Sequence, residues 1–252
     1  MRVIIILLIA LSSVFSNAQN DALFNEANKL YNQGNYNEAI EKYETILKSN
    51  KHSAAVYFNL ANSHYKLNNI APSIYYFEKA KMLSPNDKDI KNNLVFAENM
   101  TVDAIDKVPE VGFSRIFKNL INTFSADTWS MLSIVGVVLF VLLFLLYHFT
   151  QVTSQKRVSF VLSILSIAFG LFSIIMAFQK NNLESKNNPA VVFAQESRIK
   201  ADPNKTSEEV FRLHEGTKVQ VLETYEDWYK IEIADKTQGW IIAEDVKLLN
   251  IF

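Results

Sequence analysis

Residues 128–149 read TWSMLSIVGVVLFVLLFLLYHF and residues 158–178 read VSFVLSILSIAFGLFSIIMAF, and neither stretch contains Asp, Glu, Lys or Arg. Each supplies the run of about 20 apolar residues that an α-helix needs to cross a hydrocarbon core of about 30 Å. Only residues 150–157 separate the two stretches, which is too short for anything but a tight hairpin. The sequence therefore predicts two transmembrane helices, 128–149 and 158–178. A buried helical hairpin in a soluble core is the alternative.

A hairpin returns the chain to the side from which it entered, so the segments before and after it share one face of the membrane. Residues 1–18 have the pattern of a secretory signal peptide, with Arg2, an apolar run over 3–11 and small residues at 16 and 18, the positions that a signal peptidase reads. Cleavage after Ala18 is expected, and an uncleaved signal anchor would give the same topology. Both flanking modules are therefore predicted to lie outside the cytoplasm.

The second apolar stretch carries small residues at steps of four, three, four and three. Such a stripe lets two helix backbones approach closely and offers hydroxyl groups for bonds between helices. The stripe either packs on the first span, which offers Ser133 and Gly136, or forms a docking face for another membrane protein. Its members are Ser159, Ser163, Ser166, Gly170 and Ser173.

The segment just before the hairpin has apolar residues on one side of a helix. Polar residues, including Arg115 and Lys118, fall between them, so an amphipathic helix over 113–124 at the membrane interface is predicted. Docking of this helix on the preceding module is the alternative. Residues 100–112 show little periodicity and are interpreted as a linker. The apolar stripe consists of Phe113, Ile116, Phe117, Leu120, Ile121 and Phe124.

The N-terminal part of the chain repeats with a period of 34 residues, which is the length of a helix-turn-helix repeat. The matching pairs include Phe24 with Phe58, Asn25 with Asn59, Ala27 with Ala61, Asn28 with Asn62 and Tyr31 with Tyr65, and Asn93 continues the Asn25 series. With the turn Gly34-Asn35-Tyr36 and Pro85 after the second unit, the segment resembles the tetratricopeptide repeat family.

This resemblance implies units at 20–53 and 54–87 and a capping half-repeat at 88–99, because a stack must close its apolar end. It also implies a concave groove for an extended or helical peptide. Some of the groove aromatics could instead pack within their repeat. The residues expected to face the groove are Phe24, Asn28, Tyr31, Asn32, Phe58, Asn62, Tyr65 and Lys66.

The C-terminal part changes to short alternating runs such as Val219-Gln220-Val221-Leu222, which are typical of half-buried strands. Residues 189–249 resemble the bacterial SH3 family, chiefly through Trp228 and Gly239-Trp240. The resemblance implies a small β-barrel that binds peptides or wall fragments. Trp228 and Tyr229 are candidates for its ligand surface, with core packing as the alternative, whereas Trp240 is expected in the core.

The sequence offers no pattern for catalysis. It contains no cysteine, which excludes disulfides and thiolate metal sites, and no Gly-rich phosphate loop. The four histidines, His52, His64, His148 and His214, lack the spacing of metal ligands. With a net charge of −1, the composition does not indicate nucleic-acid binding either. We expect no enzyme activity, no metal and no cofactor.

Taken in order, the signal peptide, repeats, hairpin and SH3-like domain resemble BatE-type proteins of the bacterial aerotolerance operon. The fold class expected is a multidomain membrane protein with an α-helical tetratricopeptide solenoid, a two-helix transmembrane hairpin and a small all-β SH3-like barrel. The resemblance implies a scaffold in the inner membrane with both modules periplasmic, contacting lipid and von Willebrand-type membrane proteins. An envelope sensor or wall-attachment protein whose SH3 module binds peptidoglycan is the alternative.

Overall fold

The computed structural model describes residues 20–106, 108–109 and 112–249. The predicted signal peptide lies outside the described residues. The chain forms two compact units, and the first is discontinuous because it combines the described residues before 108 with those from 188 onward. The second unit is the segment between them, which carries the two apolar stretches.

The first unit begins with a stack of helices joined by tight turns. Gly34 takes a φ of 83° in the first turn, a conformation that glycine adopts without steric cost. Asn68 holds the equivalent position in the second turn with a φ of 64°, which asparagine tolerates better than most residues. The helices are α1, described over 20–32, α2 (Tyr36–Lys48), α3 (Ala54–Lys66), α4 (Ile70–Leu83) and α5 (Lys88–Glu98).

Small residues at matching places in the repeats allow the helices to pack closely. Ala27 and Ala61, which are 34 residues apart, are both fully buried, and the aromatic rings of Tyr43 and Phe77 fill the space beside them. α3 packs against both α2 and α4, and α5 packs against α4. This arrangement confirms the tetratricopeptide-like helical region.

The C-terminal half of the first unit is one antiparallel sheet. Its strands lie in the order β3-β2-β6-β5-β4-β1-β7, so the first strand sits between the fourth and the last. The inward side chains of these strands, among them Ile199, Leu213, Ile231 and Ile241, form its core. The strands are β1 (Pro189–Val192), β2 (Glu196–Lys200), β3 (Glu209–His214), β4 (Lys218–Tyr225), β5 (Trp228–Glu232), β6 (Gln238–Ile242) and β7 (Val246–Leu248), with a 3-10 turn at Ala243–Asp245.

The helical repeats and the sheet share a hydrophobic core. Val191 of β1 and Leu249 after β7 join the buried cluster formed by α3, α4 and α5. Tyr75 of α4 donates a hydrogen bond to the Leu248 carbonyl at 3.4 Å, and its ring meets that of Phe193 edge-on at 5.6 Å. The sheet therefore covers apolar surface that α5, the predicted cap, leaves open.

The second unit contains a short helix and two long apolar ones. The predicted spans 128–149 and 158–178 lie within the two long helices. Only 17% of the apolar window of the first long helix and 28% of that of the second are buried within the protein, whereas a core helix of a soluble protein is mostly buried. Both are long and apolar enough to cross a membrane. The helices are α6 (Phe113–Ile121), α7 (Ala126–Phe149) and α8 (Thr153–Ser185).

The small-residue stripe of α8 faces α7. A Cβ atom added to Gly136 of α7 would lie 2.8 Å from the Cα of Gly170, so the two helix backbones are in direct contact there. Ser159, Ser163 and Ser173 are buried, and Ser166 is half-buried. The stripe thus packs on the first helix of its own hairpin.

Helix α6 is fixed to one end of the hairpin. The indole N–H of Trp129 donates a hydrogen bond to the Ile121 carbonyl at 3.1 Å, and both side chains pack with Met176 of α8. Lys180 donates to the Asn122 side chain at 2.9 Å. Four members of the predicted apolar stripe remain exposed on the other side of α6 or just beyond it, namely Phe113, Ile116, Leu120 and Phe124.

Candidate partner-binding sites

Three surfaces of the first unit could receive a partner, and the first is a cavity on the helical repeats. It has a volume of about 230 Å³ and is open to solvent. Helices α1, α3, α4 and α5 all contribute to it, so the cavity depends on the stacking of successive repeats. Its lining consists of Tyr31, Asn62, Tyr65, Lys66, Phe77, Asn93 and Phe96.

Four of the eight groove residues predicted from the sequence meet in this cavity, namely Tyr31, Asn62, Tyr65 and Lys66. The other four lie elsewhere. Phe24 lines a separate cavity of about 320 Å³ near Val56, Phe58 packs edge-on against Phe77 at 5.8 Å, and Asn32 is exposed. The eighth, Asn28, is occupied by contacts between repeats.

Asparagine pairs link each repeat to the next. Asn59 donates an amide hydrogen bond to Asn28 at 2.8 Å, and Asn93 donates the equivalent bond to Asn62 at 2.9 Å. The hydroxyl of Tyr43 also donates to Asn28, at 2.6 Å. The 34-residue recurrence of asparagine therefore marks an inter-repeat contact, and in the second pair this contact forms part of the cavity wall.

Sequence reasoning missed Phe77, Asn93 and Phe96 as cavity residues. Asn93 carried a usable signal, because it continues the periodic asparagine series into α5. Phe96 lies three residues further along the same helix, with 58% of its surface exposed. An exposed phenylalanine beside an amide indicates a contact surface better than it indicates a core position.

The cavity suits recognition of a side chain by shape and by hydrogen bonds. Burial and the neighbouring Tyr36 raise the pKa of Tyr31 above its usual value of 10.0, so its hydroxyl is neutral and can donate. Lys66 is the one charged residue in the described lining, and the rest of the wall is aromatic and amide. These groups are able to contact a ligand, but the described lining offers no nucleophile with an adjacent base.

The buried histidine of the repeats does not change this conclusion. His64 stacks on Tyr76 with ring centroids 5.6 Å apart. Burial, and secondarily the charge of Lys247, lower its pKa to about 4, so the imidazole is neutral at pH 7. Within residues 20–249, apart from the undescribed positions 107, 110 and 111, no group of His, Asp and Glu is placed to hold a metal ion.

The second surface is a cavity of about 400 Å³ on the sheet. Its lining consists of Lys205, Asp227, Trp228, Ile242, Ala243 and Glu244. Trp228 is buried, with 8% of its surface exposed, whereas Tyr229 packs against the sheet core and is not part of the lining.

The tryptophan expected in the sheet core is not fully buried. Trp240 is half-buried and meets Tyr225 edge-on at 6.4 Å. The neighbouring Ile241 takes the inward position on β6 instead.

The third surface is occupied by the segment predicted to be a linker. The carboxylate of Asp103 accepts hydrogen bonds from the backbone N–H of His214 at 2.7 Å and from the Thr217 hydroxyl at 2.6 Å. Its other oxygen lies 2.7 Å from Nδ1 of His214. We call residues 101–106 the strap, because they lie against the sheet while having neither helix nor strand structure.

Comparison with known protein families identifies both modules. Residues 197–247 match the bacterial SH3 domain, residues 27–68 match a TPR repeat model, and residues 54–87 match the tetratricopeptide repeat. None of the curated proteins compared with the chain matches it. Together with the helical stack, the two apolar helices and the antiparallel sheet, these matches confirm the predicted fold class. Both kinds of module are typically non-catalytic interaction domains.

Proposed function

We propose that this protein is a non-enzymatic, membrane-anchored adaptor whose repeats bind a protein partner. The observation that carries the proposal is the open cavity lined by Tyr31, Asn62, Tyr65 and Phe96. Aromatic rings and side-chain amides recognise peptide segments through ring faces and hydrogen bonds. In this proposal, the hairpin anchors the unit that carries this surface to a membrane.

Anchoring by the hairpin is supported by its apolar exterior. The side chains of α7 and α8 that point away from each other are Leu, Ile, Val and Phe, and most are exposed. The exposed apolar side chains of α6, such as Phe113 and Ile116, extend this surface, which suits a helix lying at the level of the lipid headgroups. We infer that α7 and α8 span the bilayer and that α6 lies in its interface.

Folding itself supports placing both modules on one side of the membrane. Residues 20–106 and 188–249 form one compact unit although α7 and α8 separate them in the chain. A shared core can form only if the hairpin returns the chain to the side it left. The signal-like pattern of residues 1–18 supports the proposal that this side lies outside the cytoplasm.

The order of the modules supports a more specific role. It resembles that of BatE-type proteins, so we propose an inner-membrane scaffold with both modules in the periplasm, in a complex of the aerotolerance or stress-response type. The partner at the repeats would then be one of the von Willebrand-type membrane proteins expected in such a complex.

Co-purification after mild cross-linking in bacterial membranes tests the adaptor role. Phe96→Ala removes an exposed cavity ring without emptying the core, and we expect partner recovery to fall about tenfold, as for loss of one aromatic contact at an interface. Val95→Ala is the matched control, because Val95 is 52% exposed on the same helix and does not line the cavity. Equal partner recovery from both variants would show that the cavity does not bind the partner.

The orientation of the hairpin can be tested by labelling, because the natural chain contains no cysteine. Single cysteines in place of Lys51, Gln151 and Lys205 sample the repeats, the hairpin turn and the SH3 module. In intact cells with a permeabilised outer membrane, a membrane-impermeant maleimide should label the first and third positions and spare the second. Labelling of the hairpin turn alone would reverse the proposed orientation.

A second candidate function, attachment to the cell wall, is favoured by the cavity at Trp228. Lys205 of its lining could bind the carboxylate of a peptidoglycan stem peptide, and Asp227 and Glu244 could bind its amino groups. The full chain in detergent should then pellet with purified sacculi. Glu244→Ala should weaken pelleting, whereas Glu208→Ala, an exposed residue outside the lining, should not. Absence of pelleting would rule out this function.

A further inference from the structure

The strap is bound to the sheet in the manner of a ligand. All three groups that hold the Asp103 carboxylate belong to the SH3 module, and they lie 111 and 114 residues away in sequence. Only 12% of the Asp103 side chain is exposed. A carboxylate held by a backbone N–H, an imidazole and a hydroxyl makes charge-assisted hydrogen bonds, which are stronger than neutral ones.

A second contact between the strap and the sheet is made by an apolar side chain. Two residues after the aspartate, Ile105 packs against the core cluster of the sheet. A cavity of about 300 Å³ remains open beside Ile105. Its lining includes Val210, Phe211 and Ile233 of the SH3 module, and we call this cavity the apolar mouth. The strap therefore leaves part of the apolar mouth unfilled.

The pKa of Asp103 agrees with this geometry. Burial alone would raise it, but the hydrogen bonds from Thr217 and His214 outweigh burial and lower it below its usual value. The carboxylate is therefore ionised at neutral pH, and the site is built for a negative charge.

We propose that the SH3 module carries a peptide-binding site for an acidic residue followed two positions later by an aliphatic one, and that residues 103–105 of its own chain fill it. His214 and Thr217 bind the carboxylate, and the mouth beside Phe211 receives the aliphatic side chain. Any exposed segment of the same chemistry on a partner protein can compete for the site.

Tethering explains why the site is filled in the isolated chain. A short connection gives the strap an effective concentration of order millimolar at the site. A competing segment must overcome this, so a free peptide binds the intact protein weakly. Displacement would free the strap, residues 101–106, from the sheet.

The test measures binding of a fluorescein-labelled peptide with the strap sequence Thr-Val-Asp-Ala-Ile-Asp by anisotropy. The receptors are the full chain in detergent micelles and its Asp103→Ala variant, in which the site keeps its donors but loses its own carboxylate. We expect the variant to bind the peptide at least about tenfold more tightly than the natural chain. Equal affinity for both receptors, or no binding to the variant at millimolar peptide, would overturn the proposal.

Two controls separate a binding site from general loosening of the fold. A peptide with Asn in place of its first Asp should bind the variant at least about tenfold more weakly, because it lacks the charge. The double variant Asp103→Ala/Thr217→Val should lose the peptide as well. If Asp103→Ala does not fold, Ile105→Ser serves as the receptor, because it keeps the carboxylate contact but empties the apolar mouth, and the same tenfold gain is expected.

Discussion

Lys218 is the main ionic contact between the repeats and the sheet, and its replacement by methionine should destabilise the whole first unit. Its ammonium group lies 2.7 Å from Glu78 and also forms an ion pair with Glu98. Glu78 is 11% exposed in its side chain, and its remaining partner is Lys81 at 3.1 Å. Removing Lys218 therefore leaves a largely buried carboxylate with one lysine instead of two.

The magnitude follows from the number and exposure of these bonds. A hydrogen bond to a charged group contributes about 1.5–3 kcal/mol, and two such bonds are lost. The loss is reduced because the Lys218 side chain is 33% exposed, because Glu98 can be rehydrated, and because Lys81 stays with Glu78. We expect about 2 kcal/mol, which corresponds to a decrease in Tm of about 4–8 °C for a unit of this size.

The effect should depend on pH. Burial by itself would raise the pKa of Glu78, but Lys218 and Lys81 outweigh burial, and the pKa lies below the ordinary value of 4.5. A carboxyl group with a depressed pKa contributes stability above its unfolded pKa and loses it as the pH falls through its folded pKa. The difference in Tm between the natural chain and Lys218→Met should be full at pH 7 and should shrink below pH 4.5.

Thermal unfolding of the full chain in detergent micelles, followed by tryptophan fluorescence, measures this difference. Lys81→Met is the matched control, because it removes the other lysine from Glu78. That pair joins residues i and i+3 of one helix, and its lysine side chain is 38% exposed, so its loss should cost less, about 0.2–0.5 kcal/mol. If Lys81→Met lowered Tm as much as Lys218→Met, or if Lys218→Met left Tm unchanged, the assigned role of the interface would be wrong.

Three further substitutions test other parts of the structure. Gly239→Ala should destabilise the sheet by about 1–3 kcal/mol in the same unfolding assay, because the added Cβ would overlap Ile199; an unchanged Tm would contradict this. Trp129→Phe removes the hydrogen bond to Ile121 and should speed hydrogen exchange in α6 roughly 2- to 10-fold, while unchanged exchange would show that α6 is held by other contacts. Asn93→Ala should lower the free energy of unfolding by about 1 kcal/mol, because it removes the side-chain hydrogen bond to Asn62 of the preceding repeat. The control Asn92→Ala, at an exposed position, should have no measurable effect.

The sequence predicts those parts of the fold that depend on local periodicity. Apolar runs of sufficient length identify the two hairpin helices, and the 34-residue recurrence identifies the repeats. The recurrence also has a direct structural cause in the asparagine bonds Asn59–Asn28 and Asn93–Asn62. Four of the eight groove residues predicted from this recurrence, Tyr31, Asn62, Tyr65 and Lys66, meet in one cavity.

The interface between the repeats and the sheet could not be predicted from local periodicity, because it brings together residues that are far apart in the chain. Tyr75 and Leu248 are separated by 173 positions, and no local pattern relates them. One signal was nevertheless present. Residues 190–193 read AVVF without alternation, which is typical of a strand covered on both faces. In the structure Ala190 and Val192 face the sheet core while Val191 faces the repeats.

The strap shows the same limit for the candidate sites. Residues 100–112 lack the apolar periodicity of a helix or strand, so the sequence predicts a linker. The hydrogen bonds that hold Asp103 do not require any such periodicity. Asp103 differs from the nearby Asp106 only through its partners, and those partners lie beyond the hairpin in sequence. Sequence patterns show which segments form helices and strands, but they do not show which loops are bound.

The discontinuous first unit sets an order of events during synthesis. α4 and α5 leave the ribosome long before Val191 and Leu249, the residues that cover their apolar surface, have been made. At about 5–20 residues per second, the 173 positions from Tyr75 to Leu248 take about 9 to 35 s to translate. In the proposed topology, the repeats spend that time on the far side of the membrane with this apolar surface uncovered. A chain that stops before residue 188 would lack Val191 and Leu249 and would leave the core of the repeats incomplete.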